Sequence, residues 1–412
     1  MKKAFLALMT CIGLIFPFAC GENNPAPVRP VAPSGATNTP SGATFTPTGT
    51  LPTATFTPTA TPTGILNTPT FTYTPTSTWT LVAPPPYLNN YGTSAAPNGM
   101  YYDPVNQVLL VAEAENNGST IINGLETFNV LSSGQTLTLQ NLGNLVIKGG
   151  ATPYATPNAT PWSGGTTFVV SYPMGVATSN NSWGVLDNQL SGGATLYMAN
   201  FNVYPYPVFT WGGPFENFTD GFGGAKFNNP RCLTADSLGN FYVADTGNGY
   251  IDEFDGGGYD YGSSPGWLHR WNGDSSSTTF IKPVALACDN NNYVYIGDAG
   301  TIPSQVQVYT SGGTTLLGKF SLIAGCKING LTVDNAGDFF VSDTNNGEVE
   351  EYQIVGGLVP GTVATQANLI RSWGDPHSYH EFQPYTPSCL QFINNYIVVG
   401  DTGNDFLNIF GP

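Results

Sequence analysis

The sequence predicts an all-β protein: a six-bladed β-propeller of four-stranded antiparallel blades, preceded by a disordered Pro/Thr-rich stalk. Three observations predict it. The 412 residues are only 9% charged but 13% aromatic with 50 Gly, and short Val/Ile/Tyr/Phe runs bounded by Gly, Asn and Asp take the place of any helical apolar period. A strand–turn–strand–turn–strand frame recurs along the chain at spacings that suit propeller blades with insertions. At the start of each frame a small residue is followed by a large apolar one.

The order of segments begins with an export signal over residues 1–19. Lys2 and Lys3 form a basic start, and Ala4 to Phe18 is an apolar run too short to span a bilayer comfortably. The run ends at Phe18-Ala19-Cys20, which resembles the bacterial lipoprotein cleavage box, with Pro17 where that box usually has an aliphatic residue. The resemblance implies that Cys20 is lipidated and that the chain is anchored at a bacterial outer membrane or cell surface. Secretion without a lipid is the other reading.

Residues 20–86 are the stalk. Its Pro, Thr, Ala and Ser, as in Thr55-Phe56-Thr57-Pro58-Thr59, have no apolar period and cannot bury enough surface to offset the entropy of ordering. Proline favours extended polyproline II, so a stalk of this length reaches on the order of 150 Å if fully extended.

Residues 87–412 carry the repeat. Its clearest copy runs from Phe227 to Asp255. Asp236 and Gly239-Asn240 form its first turn, and Asp245, Gly247 and Asn248 its second. The frame returns with Asp289 and Asp298, then with Asp334 and Asp343, the two Asp residues standing nine positions apart in all three copies. Looser copies open at Pro97, Pro173 and Pro387. In the second of these, Met198-Ala199-Asn200 is read as the second strand after a long first turn. The residues two places after each opening are Gly99, Gly175, Cys232, Ala285, Gly330 and Cys389, and those after them are Met100, Val176, Leu233, Leu286, Leu331 and Leu390. Small then large fits inner strands crowding toward an axis. The chain ends just after the third strand of the sixth unit. Tyr87 to Gly92 is therefore expected to pair with residues 405–410 and close the ring.

These motifs resemble the NHL repeat family, whose blades run Pro-x-Gly-Ile-Ala-Val-Asp, Gly-Asn-Val-Tyr-Val-Ala-Asp and then a third strand after Gly-Asn. The resemblance implies a rigid propeller. The family often has a basic residue before the third strand, where this chain has Tyr250, Gln305, Glu348 and Phe406.

The formal net charge is −16, from 27 Asp and Glu against 11 Lys and Arg, which excludes a phosphate-neutralising surface and hence nucleic-acid binding. Asp245, Asp298, Asp343 and Asp401 at strand ends are read as caps of their own turns. Cys232, Cys288, Cys326 and Cys389 are read as small buried apolar side chains, with Cys232 and Cys389 too far apart across the ring for a disulfide. His377 and His380 stand beside Asp375 and Glu381, a donor set that suits a divalent metal or, alternatively, a solvated loop. Tyr204, Tyr206 and Trp211 could stack on a ligand or simply pack in a blade. No catalytic residue is assigned, and no cofactor is expected beyond that divalent metal.

The expected function is a non-catalytic binding or scaffold module of the cell envelope, holding a protein or glycan. The alternative is a metal-dependent hydrolase or lyase acting at the central channel, as in gluconolactonase-like lactonases and amidating lyases of similar form.

Overall fold

The computed structural model describes residues 84–93, 95–116, 121–133, 136–145, 172–179, 182–188, 194–200, 208–212, 227–256, 267–274, 278–374 and 386–411. They form six four-stranded antiparallel sheets. Blade one is Pro97–Asp103, Val108–Asn116, Ile121–Ser133 and Thr136–Leu145, and blade two is Pro173–Ser179, Ser182–Asp187, Thr195–Asn200 and Val208–Gly212. Blade three is Cys232–Ala235, Asn240–Asp245, Tyr250–Asp255 and Trp267–Trp271, and blade four is Pro283–Cys288, Val294–Asp298, Gln305–Tyr309 and Leu316–Ser321. Blade five is Ile328–Val333, Phe339–Asp343, Glu348–Ile354 and Ala367–Gly374. Blade six takes Pro387–Ile393, Tyr396–Asp401 and Phe406–Phe410 from the end of the chain and Tyr87–Gly92 from before blade one. That last strand pairs antiparallel with Phe406–Phe410, Tyr91 opposite Leu407 and Asn90 opposite Asn408. The ring is thus closed as expected, and the outer edge of blade six is covered.

Blade two differs from its reading in the sequence. Its second strand is Ser182–Asp187, paired antiparallel with Pro173–Ser179, Ser179 opposite Ser182 and Asp187 opposite Pro173. Met198 lies on the third strand, opposite Gly184. Asn180-Asn181 is a sequence suited to a tight hairpin turn, so the insertion falls between the second and third strands.

The hydrophobic core is a ring of six wedges, one between each pair of adjacent blades. Successive residues of a strand feed opposite wedges because their side chains alternate across the sheet. Phe241 packs with Leu196, Met198 and Leu233 between blades two and three. Its neighbour Tyr242 packs with Trp271, Leu286 and Tyr309 between blades three and four. Val306 and Phe320 meet Phe339 and Tyr352 between blades four and five, and Phe340 and Trp373 meet Val399 and Phe410 between five and six. Leu109 and Phe128 meet Val398 and Ile409 between six and one, and Val108 and Leu110 meet Val176 and Val185 between one and two. Each fully buried large apolar side chain contributes roughly 1.5–3 kcal/mol, and the six wedges together hold the disc.

One outer edge is covered in a different way. The loop that joins the last two strands of blade five folds onto blade four, where Ala364 donates its N–H to Leu317 O at 2.8 Å and accepts from Lys319 N at 2.8 Å. That backbone pairing occupies part of the free edge of the Leu316–Ser321 strand.

Candidate functional site

The inner strands of all six blades surround a central channel, and their register determines what faces it. Two residues after each opening position the backbones of neighbouring blades come nearly into contact. A Cβ on Gly99 would stand 2.5 Å from Met174 O, and one on Gly330 would stand 2.6 Å from Ser388 O. Only a hydrogen or a short side chain fits there, which is why this position holds Gly, Ala or Cys.

The channel has two chambers. The first, a vestibule of about 330 Å³ where the inner strands begin, takes Asn98, Met174, Arg231, Val284, Asn329 and Ser388 from the six inner-strand starts, and is also lined by Ala96, Ala114, Tyr172 and Thr402. The second, about 390 Å³, continues along the strands and also borders Arg231. It reaches Asp103, Asp236 and Asp289 where the strands end. These carboxylates are occupied by their turns. Asp236 Oδ1 accepts N–H groups from Leu238, Gly239 and Asn240, and Asp103 Oδ1 accepts from Val105 and Asn106. Asp289 Oδ1 accepts from Asn291 and Tyr293. A guanidinium therefore stands toward one end of the channel and hydrogen-bonded carboxylates toward the other.

Cys232, Cys288 and Cys389 line the second chamber, the first two half-buried and the third buried, and all are free thiols. Burial pushes Cys232 up to about 11 and Cys389 up to about 12, and raises Cys288 well above its ordinary value. Thiols held protonated in this way are poor nucleophiles.

The strand-end aspartates do more than close their own turns. Asp343 Oδ1 accepts from Asn345 N and Asn346 N in its turn and also from Lys327 N, just before the inner strand of its blade. Asp298 accepts from Gly300 N and from Ile281 N and Lys282 N. Asp401 accepts from Gly403 N and Thr386 N, and Asp245 accepts from Asn228 N. Each carboxylate fastens the second strand's turn to the segment leading into the inner strand. Asp187 does the same in blade two, accepting from Tyr172 N at 2.6 Å, and the misplaced strand register hid it in the sequence.

Next to these aspartates, blades three and five handle buried charge differently. In blade three, Asp245 and Asp252 are met by Arg270 of the outer strand, whose Nε lies 2.8 Å from Asp252 Oδ1 and whose Nη2 lies 3.9 Å from Asp245 Oδ2. Burial still raises Asp245 to about 7, against the opposing hydrogen bond from Asn228. In blade five the equivalent carboxylates are Asp343 and Glu350, and the residue opposite Glu350 is Ser372 where blade three has Arg270. Cys326, Asp343 and Glu350 have donor atoms within 4.8 Å of one another, all three residues buried. Burial pushes Glu350 up to about 7, the Tyr352 hydroxyl opposing with a 2.6 Å hydrogen bond and Asp343 adding to the rise. Burial thus favours the protonated form of Glu350 at the place where blade three has Arg270. Among the described residues this trio is also the donor set able to hold a metal ion.

His269 is bound at both ring nitrogens, Nδ1 by Glu253 at 3.2 Å and Nε2 by Gly312 O, which leaves neither free as a base. Cys20, Tyr204, Tyr206 and the group His377, His380, Asp375 and Glu381 lie outside the described residues. Trp211 is described only as backbone of the outer strand of blade two. The residue that the sequence reading missed is Arg231. The signal was present, because at the position after the opening residue it is basic where the other blades have Asn98, Met174, Val284, Asn329 and Ser388.

The family model described as NHL repeat matches residues 227–251. No curated protein sequence matches the chain. Among solved structures, the chain is similar to Raptor of Chaetomium thermophilum, at 10% identity and a TM-score of 0.45, over 81% of this chain and 29% of that one. It spans less than a third of the Raptor chain. It is also similar to the β-propeller domain of Cps50 (Swd1) of Myceliophteria thermophila, at 8% identity and a TM-score of 0.45, over 80% of this chain and 100% of that one. A further similar structure is virginiamycin B lyase of Staphylococcus aureus, at 10% identity and a TM-score of 0.43, over 79% of this chain and 98% of that one.

Proposed function

Starting from an NHL-repeat β-propeller, we propose that this chain is an exported, lipid-anchored protein of the bacterial cell envelope whose disc binds a protein or glycan without catalysing a reaction. The observation that carries the binding reading is the state of the described thiols, carboxylates and histidine. The thiols are held protonated, the described strand-end carboxylates accept backbone N–H groups, and His269 has both nitrogens engaged. What the disc offers is a rigid frame for its loops and channel mouths. An NHL-repeat propeller supports a binding or scaffold module with a protein partner. Export and the anchor rest on Lys2, Lys3, the apolar run Ala4 to Phe18 and Cys20.

The test has two parts. Full-length protein expressed in a bacterial host is labelled with an alkyne fatty acid, and the label should disappear in Cys20→Ser. Crosslinking in intact envelopes should then recover one partner in stoichiometric amount. Unlabelled wild-type protein found free in the medium would refute the anchor. Recovery of no partner would refute the scaffold role. The hydrolase or lyase alternative rests on His377 and His380, and stoichiometric metal lost on substituting either would favour it.

A further inference from the structure

We propose that the vestibule around Arg231 is a binding site for a carboxylate monoanion. The inference is independent of export, anchoring and the envelope partner.

Arg231 is fixed by its backbone, whose N–H donates to Ala244 O at 3.0 Å just before the inner strand of blade three. Its side chain borders both chambers of the channel. The other two described arginines are paired, Arg270 with Asp252 and Asp245, and Arg371 with Glu351. Arg231 has no ion pair or side-chain hydrogen bond among the described residues, and its Nε is enclosed without an acceptor. A guanidinium cannot shed its proton to escape this. An enclosed N–H without an acceptor costs about 1–3 kcal/mol, and more when charged. In a chain with 27 carboxylates and 11 bases, a channel-lining arginine that no described carboxylate meets suits an acceptor from outside.

The surroundings define what that acceptor is. Among the described residues no Asp or Glu lines the vestibule. Asn98 Nδ2 donates to Ala114 O at 3.2 Å and Asn329 Nδ2 to Ser388 O at 3.3 Å, and each amide retains a second N–H. Met174 and Val284 supply apolar wall. The two Nη groups, which are not enclosed, form the end-on fork that matches a carboxylate. A single cation in a chain of net charge −16 suits one negative charge and not two. The volume, about 330 Å³, is that of a small-ligand site. The ligand class is a carboxylate on a short apolar stem, which could be a free organic acid or the C-terminus of a peptide.

The experiment is saturation-transfer NMR on the full chain with butyrate, with butanamide as its neutral isostere, and with Ala-Ala as free acid and as amide. Butyrate should give a saturable signal and butanamide none. Arg231→Gln should weaken butyrate binding by about tenfold or more, and Arg231→Lys by less. Tighter binding of Ala-Ala acid than of butyrate assigns the site to a chain terminus, and the reverse assigns it to a free acid. Asn329→Asp places a carboxylate in the same vestibule and should also abolish binding, so the inference is testable if Arg231→Gln melts early. Equal signals for butyrate and butanamide, unchanged binding in Arg231→Gln, or no saturable butyrate signal up to about 50 mM would overturn it.

Discussion

The Ser388 hydroxyl donates a hydrogen bond of 2.6 Å to Pro97 O, across a sequence separation of 291 residues. The bond joins the inner strands of the last and first blades beside the axis, while Tyr87–Gly92 completes the same closure at the rim by pairing with Phe406–Phe410. Ser388→Ala should lower stability by about 1–2 kcal/mol, since the buried Pro97 O loses this donor. Deleting residues 86–92 exposes a whole strand edge and should lower the melting temperature several times further. Calorimetry of the two variants checks this, and equal melting of the deletion and wild type would disprove rim closure.

The second prediction concerns the crowding at the axis. Gly330→Ala places its Cβ 2.6 Å from Ser388 O, a backbone atom that cannot swing away. The cost should be about 1–3 kcal/mol. Gly124→Ala is the control, because a Cβ there meets nothing within 4 Å. Its stability should stay within about 0.5 kcal/mol of wild type in urea titrations.

The contrast between these glycines shows how far the sequence could be read. The small residue followed by a large one was visible because close approach of backbones leaves no alternative chemistry. The strand-end aspartates were visible for the same reason, since a carboxylate is needed wherever several N–H groups converge. Blade two was misread because Met198-Ala199-Asn200 imitates the apolar–Ala–Asp ending of a second strand, whereas the true strand carries Trp183 and Gly184. Arg231 stayed hidden because its meaning is relational. It becomes informative only when six inner strands are placed around one axis and its Nε finds no acceptor among the described residues.

Glu350 should make stability depend on pH. Burial raises it from 4.5 to about 7, so the folded state keeps its proton where the unfolded chain has lost it. Its contribution is complete below about 4.5, declines as pH rises, and is gone above about 7. Glu350→Gln mimics the protonated form and should flatten this part of the profile, leaving the fall due to Asp245, which is raised to about 7 as well. The gain over wild type should therefore be larger at pH 8 than at pH 4, on the order of a few kcal/mol. Denaturant unfolding at the two pH values reads it directly. A stability difference that is the same at both would show that Glu350 is not the titrating group.

Arg270 provides the complementary case. It meets Asp252 at 2.8 Å and approaches Asp245 at 3.9 Å, and all three side chains are almost wholly enclosed. Arg270→Met removes the cation and leaves two carboxylates facing each other without it. Breaking a buried pair from one side costs about 3–5 kcal/mol. The loss should shrink as pH falls, because the carboxylates then take up protons and no longer require the guanidinium. The double variant Arg270→Met with Asp252→Asn removes the orphaned charge as well, and should recover a large part of the loss at pH 7. In that double variant a neutral amide replaces the Asp252 carboxylate beside Asp245, which keeps its bonds from Asn228 N and Asn248 Nδ2. A double variant no more stable than Arg270→Met alone would mean that Arg270 acts through packing on Tyr250, whose ring centroid lies 4.9 Å from its guanidinium carbon, and not through charge.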